Sequence, residues 1–241
     1  MKPVVIGPNA VHEMLKRSPR RIREVWVSGS GGRVGRIADE ASRLGIPVRS
    51  LSEKELQEIA GSGSHQGIAA RIEPRPEMDL DDLIPPPPGK AALLMLDQVQ
   101  DPQNLGSLLR SALAFGLHGA VLPDRNAAHI TPAVSKASAG ASEILPVAVV
   151  TNLARAIDRL KAKRIWVVGL DPKADADLDR APWTEPVALV LGSEGEGLRR
   201  LTAEKCDLLV RIPMLDTFDS LGVAAAGAVA MHALSRARLA R

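Results

Sequence analysis

The sequence predicts an α/β protein, with a mostly parallel sheet over its C-terminal two thirds and a small α/β domain ahead of it. Three observations predict this. From residue 91 onward, short apolar runs alternate with amphipathic stretches, the pattern of strands joined by helical crossovers. Two of those runs, 187–191 and 208–212, stop at a glycine-rich loop and a polar loop, which is where open α/β sheets hold ligands. Residues 73–90 are acidic and contain four consecutive prolines, so they read as a stiff linker between domains 1–72 and 91–241.

In the first domain, residues 9–15 form a helix opened by Pro8 and Asn9, and the β-branched run 24–28 forms a strand. Residues 31–44 place Val34, Ile37, Ala41 and Leu44 on one helical face, and Gly45 ends that helix. A short strand at 47–51 precedes a helix that Ser52 and Glu55 open as a capping box. A glycine- and serine-rich loop, 61–67, leads into a closing strand at 68–72. In the second domain, strands are expected at 91–96, 119–122, 146–150, 165–170, 187–191 and 208–212. Helices are expected at 105–115, 132–139, 152–163 (N-capped by Thr151) and 221–238.

Composition narrows the function. No run of eighteen uncharged apolar residues is present, so no membrane span is expected. Pro8, His12 and Glu13 interrupt any secretory h-region, and the single Cys206 excludes a disulfide framework, which together favour a cytoplasmic protein. Cys206 reads as a buried structural thiol. The net charge is +3, but residues 1–72 carry 12 Lys and Arg against 7 Asp and Glu, so the basic part is N-terminal. That distribution suits a polyanion such as RNA, or simply a solvated face. With two Phe, three Trp and no Tyr, a base-stacking platform is not expected, and contact would run through phosphates. Lys16, Arg17, Arg20, Arg21 and Arg23 form the densest cationic cluster. His65 is either a solvated loop residue or an RNA contact or base.

Three stretches carry candidate chemistry. The first is NLGSLLR, 104–110, at a strand-to-helix transition. Asn104 there can orient neighbours, and Arg110 can meet a phosphate with its planar fork. The second is GSEGEG, 192–197, which is not a dinucleotide fingerprint. Glu194 stands at the second glycine position, and two carboxylates would repel a pyrophosphate. The loop suits a ligand with a cationic group, or else is a turn with two solvated acids. The third is the loop 213–220 followed by LGVAAAGAVA, small residues that let backbone approach closely at a ligand, a helix or a second subunit.

Together NLGSLLR, LVLGSEGEGL and IPMLDTFDSLGVAAA resemble the SpoU/TrmH family of the SPOUT methyltransferase superfamily, in motif order and spacing, over nearly the whole chain. The resemblance implies a C-terminal domain with a deep trefoil knot, an N-terminal RNA-substrate-binding domain, and a homodimer. It implies S-adenosylmethionine bound by Leu191, Gly192, Gly197, Ile212, Met214, Ser220 and Leu221, with no metal. It implies 2′-O-ribose methylation of RNA, ribosomal RNA ahead of transfer RNA. Arg110 is then the essential residue, with Asn104, Glu194 and Ser220 around the reacting group. Arginine keeps its proton at neutral pH, so Arg110 is better suited to hold a phosphate and stabilise a developing oxyanion than to act as a base. One departure stands out: Gly222 occupies the position where the family has Asn after Ser-Leu. It leaves open a non-catalytic RNA-binding homodimer as the alternative. A nicotinamide-dependent oxidoreductase is disfavoured by the loop's charge.

Overall fold

The computed structural model describes residues 3–61, 65–76, 78–86, 88–215 and 221–240. The chain runs β1 (Val4–Ile6), α1 (Pro8–Arg17), β2 (Ile22–Val27), α2 (Gly32–Arg43), β3 (Val48–Ser50), α3 (Glu53–Ala60) and β4 (Ile68–Ile72). It continues through β5 (Ala92–Leu96), α4 (Pro102–Ala114), β6 (Gly119–Pro123), α5 (Pro132–Ala137), α6 (Ala141–Ile144), β7 (Val147–Val150) and α7 (Leu153–Ala162). It ends with β8 (Trp166–Leu170), β9 (Ala176–Asp177), β10 (Val187–Leu191), α8 (Arg200–Lys205), β11 (Leu208–Arg211) and α9 (Val223–Leu239). Two compact units result: Met1–Pro76 with Ile130–Ile144, and Glu77–His129 with Leu145–Arg241.

The first unit holds a four-stranded sheet in the order β1-β4-β2-β3. β4 is antiparallel to both neighbours, and β2 is parallel to β3. α1 and α2 bury Val11, Met14, Leu15, Ile37 and Ala41 against Val25, Ala70 and Ile72. α3 buries Leu56 and Ala60 among Ile6, Trp26 and Ala69. The capping box forms as the sequence predicts: Ser52 Oγ accepts from the Glu55 backbone at 3.2 Å, and the Ser52 backbone donates to Glu55 Oε2 at 2.8 Å. β1 has no counterpart in the sequence reading, because three apolar residues ahead of a helix show too little periodicity to register.

Two features redraw the expected domain limits. α5 and α6, which lie in sequence between β6 and β7, belong to the first unit. Gly140 passes so close to α1 that a Cβ there would lie 2.9 Å from the Cα and carbonyl oxygen of Ala10. The Arg21 guanidinium donates to the Glu143 carbonyl at 2.6 Å and pairs with its carboxylate at 3.3 Å, while Arg75 donates to the Ser142 carbonyl. These bonds span residues far apart in sequence, and no local pattern announces them. The stretch expected as a linker is also partly core. Asp79 caps a single 3₁₀ turn, Leu80–Leu83, by accepting from the Asp81 backbone at 3.1 Å. Leu80 and Leu83 are buried with Leu93, Val121 and Ala148. Asp79 and Asp81 pair with Arg159 at 2.5 and 3.3 Å, so the acids dock the segment onto α7.

The second unit is a seven-stranded sheet in the order β7-β6-β5-β10-β8-β11-β9, parallel at every pairing. Its strands are near-continuous Val, Leu and Ala because both faces are covered. One face carries α7, which opens on Asn152, not Thr151: Asn152 Oδ1 accepts from the Arg155 backbone at 3.0 Å. On the other face α4 packs against α9. That pairing explains a small residue in α9. A Cβ on Gly227 would lie 2.4 Å from Leu108 Cδ2 and 2.7 Å from Leu191 Cδ1. Among the described residues no helix is long and apolar enough to cross a membrane.

Candidate functional site

The C-terminal ends of three neighbouring strands, β8, β10 and β11, open into one cavity of about 270 Å³. Leu170 ends β8 and Pro172 follows it, Leu191 ends β10 with Gly192 and Glu194 after it, and Ile212 and Met214 follow β11. Leu221, the N-cap Gly222 and the first turn of α9, with Val223 and Ala226, close the remaining side. Ligands settle at this end of a parallel sheet because the loops diverge there into helices.

The loop after β10 owes its form to glycine. Ser193 and Gly197 exchange two backbone hydrogen bonds, 3.0 and 3.1 Å, and close a tight hairpin. Gly195 and Gly197 take φ of 83° and 71°, a region that L side chains rarely adopt. Gly192 has no room for a side chain, since a Cβ would lie 2.1 Å from the carbonyl carbon and oxygen of Gly197 and 2.4 Å from the Leu198 nitrogen. The glycines therefore shape the backbone, and Glu194 supplies the charge. Glu194 lines the cavity, and its Oε1 lies 3.3 Å from where a Cβ of Gly222 would be. Gly222 is the N-cap of α9, with no side-chain cap bond.

The sequence-predicted cofactor residues Leu191, Gly192, Gly197, Ile212, Met214 and Leu221 all line this one cavity, together with Glu194. Ser220 lies outside the described residues. Asn104 and Arg110 do not line the cavity. Both sit on α4, which packs against α9. The Asn104 backbone donates to the capping carboxylate of Asp101 at 3.0 Å. Arg110 is exposed and makes no hydrogen bond or ion pair among the described residues. Its fork is free for a group brought from outside.

Two residues that hold the ends of the cavity loop escaped the sequence reading. Asp97, at the end of β5, is 0 % exposed, and its carboxylate accepts from the backbone and the guanidinium of Arg199. An acid ending an apolar strand was the available signal, because a buried carboxylate needs a partner. The partner itself, far along the chain, was not legible.

Other expectations change. His65 is 2 % exposed, so it is neither solvated nor open to RNA. Its Nδ1 accepts from the Gly67 backbone at 3.1 Å, and its Nε2 lies 3.4 Å from Glu53, which fixes the turn into β4. The N-terminal arginine cluster is largely spent on the protein itself. Arg17 pairs with Glu13, Arg21 with Glu143, and Arg23 with Glu73, leaving Lys16 and Arg20 exposed. An open cationic face lies instead on α2. There Arg33 and Arg36 are exposed without a partner among the described residues, and Arg43 bonds only to a carbonyl of its own helix. With His12 and Glu40, which pair at 3.2 Å, these arginines border a hollow of about 350 Å³. Cys206 is partly buried and donates to the Thr202 carbonyl at 3.3 Å; burial pushes its thiol up to about 12, so it is no nucleophile at neutral pH.

The cavity fits S-adenosylmethionine. Leu170, Leu191, Ile212 and Met214 offer apolar walls, the backbone at Gly192 leaves space that a side chain would block, and Glu194 faces any cation within. Comparisons with known proteins agree. Residues 91–232 match the SpoU rRNA Methylase family, and residues 4–78 match the family described as RNA 2'-O ribose methyltransferase substrate binding. The 23S rRNA (guanosine-2'-O-)-methyltransferase RlmB of Xanthomonas campestris is 41% identical over 240 residues, 98% of this chain and 96% of that protein. RlmB of Vibrio cholerae is 38% identical, covering 98% of both chains. The crystal structure of the SpoU methyltransferase AviRb from Streptomyces viridochromogenes in complex with the cofactor AdoMet superposes with a TM-score of 0.79. It is 26% identical, covering 99% of this chain and 91% of that one.

Proposed function

The chain belongs to the SpoU rRNA methylase family, and from that premise we propose that it methylates the ribose 2′-oxygen of a guanosine in 23S ribosomal RNA. It is an RNA 2′-O-methyltransferase that uses S-adenosylmethionine. The observation that carries the reading is the convergence of Leu191, Gly192, Glu194, Ile212, Met214 and Leu221 on one cavity, although they come from separate strand ends and a helix start. Bound there, S-adenosylmethionine supplies an electrophilic methyl group to a ribose 2′-oxygen that gives up its proton.

The remaining work falls to the protein. The backbone at Gly192 and Gly197 and the apolar walls hold the cofactor, and Glu194 faces its positive charge. Arg110, with a free and permanently charged fork, holds the RNA phosphate beside the reacting ribose and stabilises the oxyanion as it forms. The proton passes to the RNA phosphate or to water. Asn104, at the start of the same helix, and Ser220, in the loop ahead of α9, orient the reacting groups. Incubation with tritiated S-adenosylmethionine and ribosomal RNA tests the reading: label should enter the RNA and survive as 2′-O-methylguanosine. Cofactor binding without any transfer would sink it, and would favour the non-catalytic dimer that Gly222 suggests.

RNA is the substrate, and the first unit is where we place its grip. The support is the pair of exposed arginines on α2, Arg33 and Arg36, that have no partner among the described residues, although Asp39 and Glu40 share the helix. Replacing Arg33 and Arg36 by alanine should weaken RNA binding and lower the slope of log affinity against log salt by about 0.7–0.9 per residue. Cofactor affinity should not move. An unchanged slope would remove α2 from the interface.

The reading also includes a homodimer and a trefoil knot in the last third of the chain, in a cytoplasmic enzyme. Support for the knot is membership of the SpoU family, and the sheet order, with β10 between β5 and β8, is compatible with it. Support for the dimer is α9, which leaves Val229 43 % and Leu239 83 % exposed on a helix of small residues. Light scattering should give twice the chain mass of 25.6 kDa. Val229→Glu should shift the protein toward monomer, and a monomeric wild type would refute the interface.

A further inference from the structure

The cavity loop between β10 and α8 is held at both ends by one residue, Asp97. Its backbone N–H donates to the Leu191 carbonyl at 2.7 Å, just before the loop begins. Its carboxylate closes the other end, where Oδ2 accepts from the Arg199 backbone at 3.1 Å and Oδ1 accepts from Arg199 Nε at 2.6 Å. The second arm of the same guanidinium stands 2.6 Å from Oδ1. Arg199 is the N-cap of α8, so the grip also fixes where that helix starts.

Asp97 also begins the turn toward the helix that carries Asn104 and Arg110. Gln98 follows with φ of 62°, unusual for a residue with a side chain, and Val99 is buried and accepts from the Ala128 backbone at 2.9 Å. Asp101 then caps α4. The end of β5 and both ends of the cofactor loop therefore meet at Asp97, and the cap of α4, Asp101, follows four residues on.

We propose that the Asp97–Arg199 pair is a positioning device for methyl transfer, setting the loop of Gly192 and Glu194 in register with the helix of Arg110. This rests on the assignment of the cavity to S-adenosylmethionine. Neither residue lines the cavity, so neither touches the cofactor. They act through the loop. The burial is lopsided in a way that suits the role: the Asp97 side chain is 0 % exposed and that of Arg199 45 % exposed. A fully buried carboxylate defines a fixed point, and Arg199 meets it three times, with two guanidinium nitrogens on Oδ1 and its backbone N–H on Oδ2. A loop free to drift by an ångström would lose both cofactor contacts and alignment with Arg110.

The test uses Arg199, whose side chain is half-exposed; its loss strands the buried Asp97 carboxylate and should lower stability, so binding and rate are read on folded protein. Titration calorimetry with S-adenosylhomocysteine, and initial rates with S-adenosylmethionine and ribosomal RNA, are compared for wild type, Arg199→Gln and Arg199→Lys below their melting temperatures. Arg199→Gln should weaken S-adenosylhomocysteine binding by about tenfold or more and lower kcat as well. Arg199→Lys, which keeps the charge but loses the fork, should recover part of the affinity. Asp97→Asn should behave like Arg199→Gln wherever it folds. A lowered melting temperature with wild-type affinity and kcat in Arg199→Gln would mean a purely structural pair and overturn the proposal. Failure of the wild type itself to bind S-adenosylhomocysteine would overturn the cofactor assignment, and the proposal with it.

Discussion

Replacing Arg110 by alanine will lower kcat for methyl transfer to RNA by about two to three orders of magnitude and leave S-adenosylhomocysteine affinity unchanged. Both halves follow from where Arg110 sits. It lies on α4, outside the cavity lining, so the cofactor loses nothing on its removal. Its guanidinium has no partner among the described residues, so no internal ion pair is broken and the fold should melt near the wild-type temperature. What disappears, on the proposed mechanism, is the cation that holds the RNA phosphate and stabilises the developing oxyanion. Arg110→Lys separates the two contributions: a point charge restores part of the electrostatic effect but not two-pronged orientation. Single-turnover rates with saturating cofactor are the measurement. A wild-type rate in Arg110→Ala would remove the residue from the chemistry.

Gly192→Ala should be as damaging by a different route. The added Cβ would lie 2.1 Å from backbone atoms of Gly197, which are themselves tied to Ser193 by two hydrogen bonds. Backbone cannot swing aside as a flexible side chain can. The hairpin must open, at a cost of about 3 kcal/mol or more, which in a chain of this size lowers the melting temperature by roughly 6–12 °C. The opened loop can no longer present Gly197 and Glu194 to the cavity, so S-adenosylhomocysteine binding should fall below detection at concentrations that saturate the wild type. Gly195→Ala is the informative control. It meets a strained φ but no neighbour within 4 Å, and should cost less on both counts. Equal affinity in Gly192→Ala and wild type would show that the loop does not cradle the cofactor.

Much of this architecture was legible because it is written locally. Strands such as Val187–Leu191 are uninterrupted apolar runs, the capping box of Ser52 and Glu55 is a four-residue signature, and the glycines of 192–197 mark a backbone that L residues cannot follow. The residues expected at the cofactor came from the motifs and the family they resemble, and the described ones line one cavity. What stayed hidden depends on distant partners. Nothing near Glu143 shows that Arg21 will bind it, so the transfer of Ile130–Ile144 to the first unit was out of reach. Leu80 and Leu83 looked like linker residues because acids and prolines surround them, yet Arg159 neutralises the acids and lets the leucines enter the core. His65 looked exposed because its loop is polar, yet its ring is buried, with Nδ1 accepting from the Gly67 backbone and Nε2 beside Glu53. Charge counting located the basic N-terminal part of the chain but misjudged which arginines are free, since pairing is a property of the folded state.

The most direct test of the central claim is a map of 2′-O-methyl groups in ribosomal RNA from cells with and without the gene. One 2′-O-methylguanosine in 23S ribosomal RNA should vanish on deletion, return with the wild-type gene, and fail to return with the Arg110→Ala variant. An unchanged methylation map after deletion would contradict the assignment.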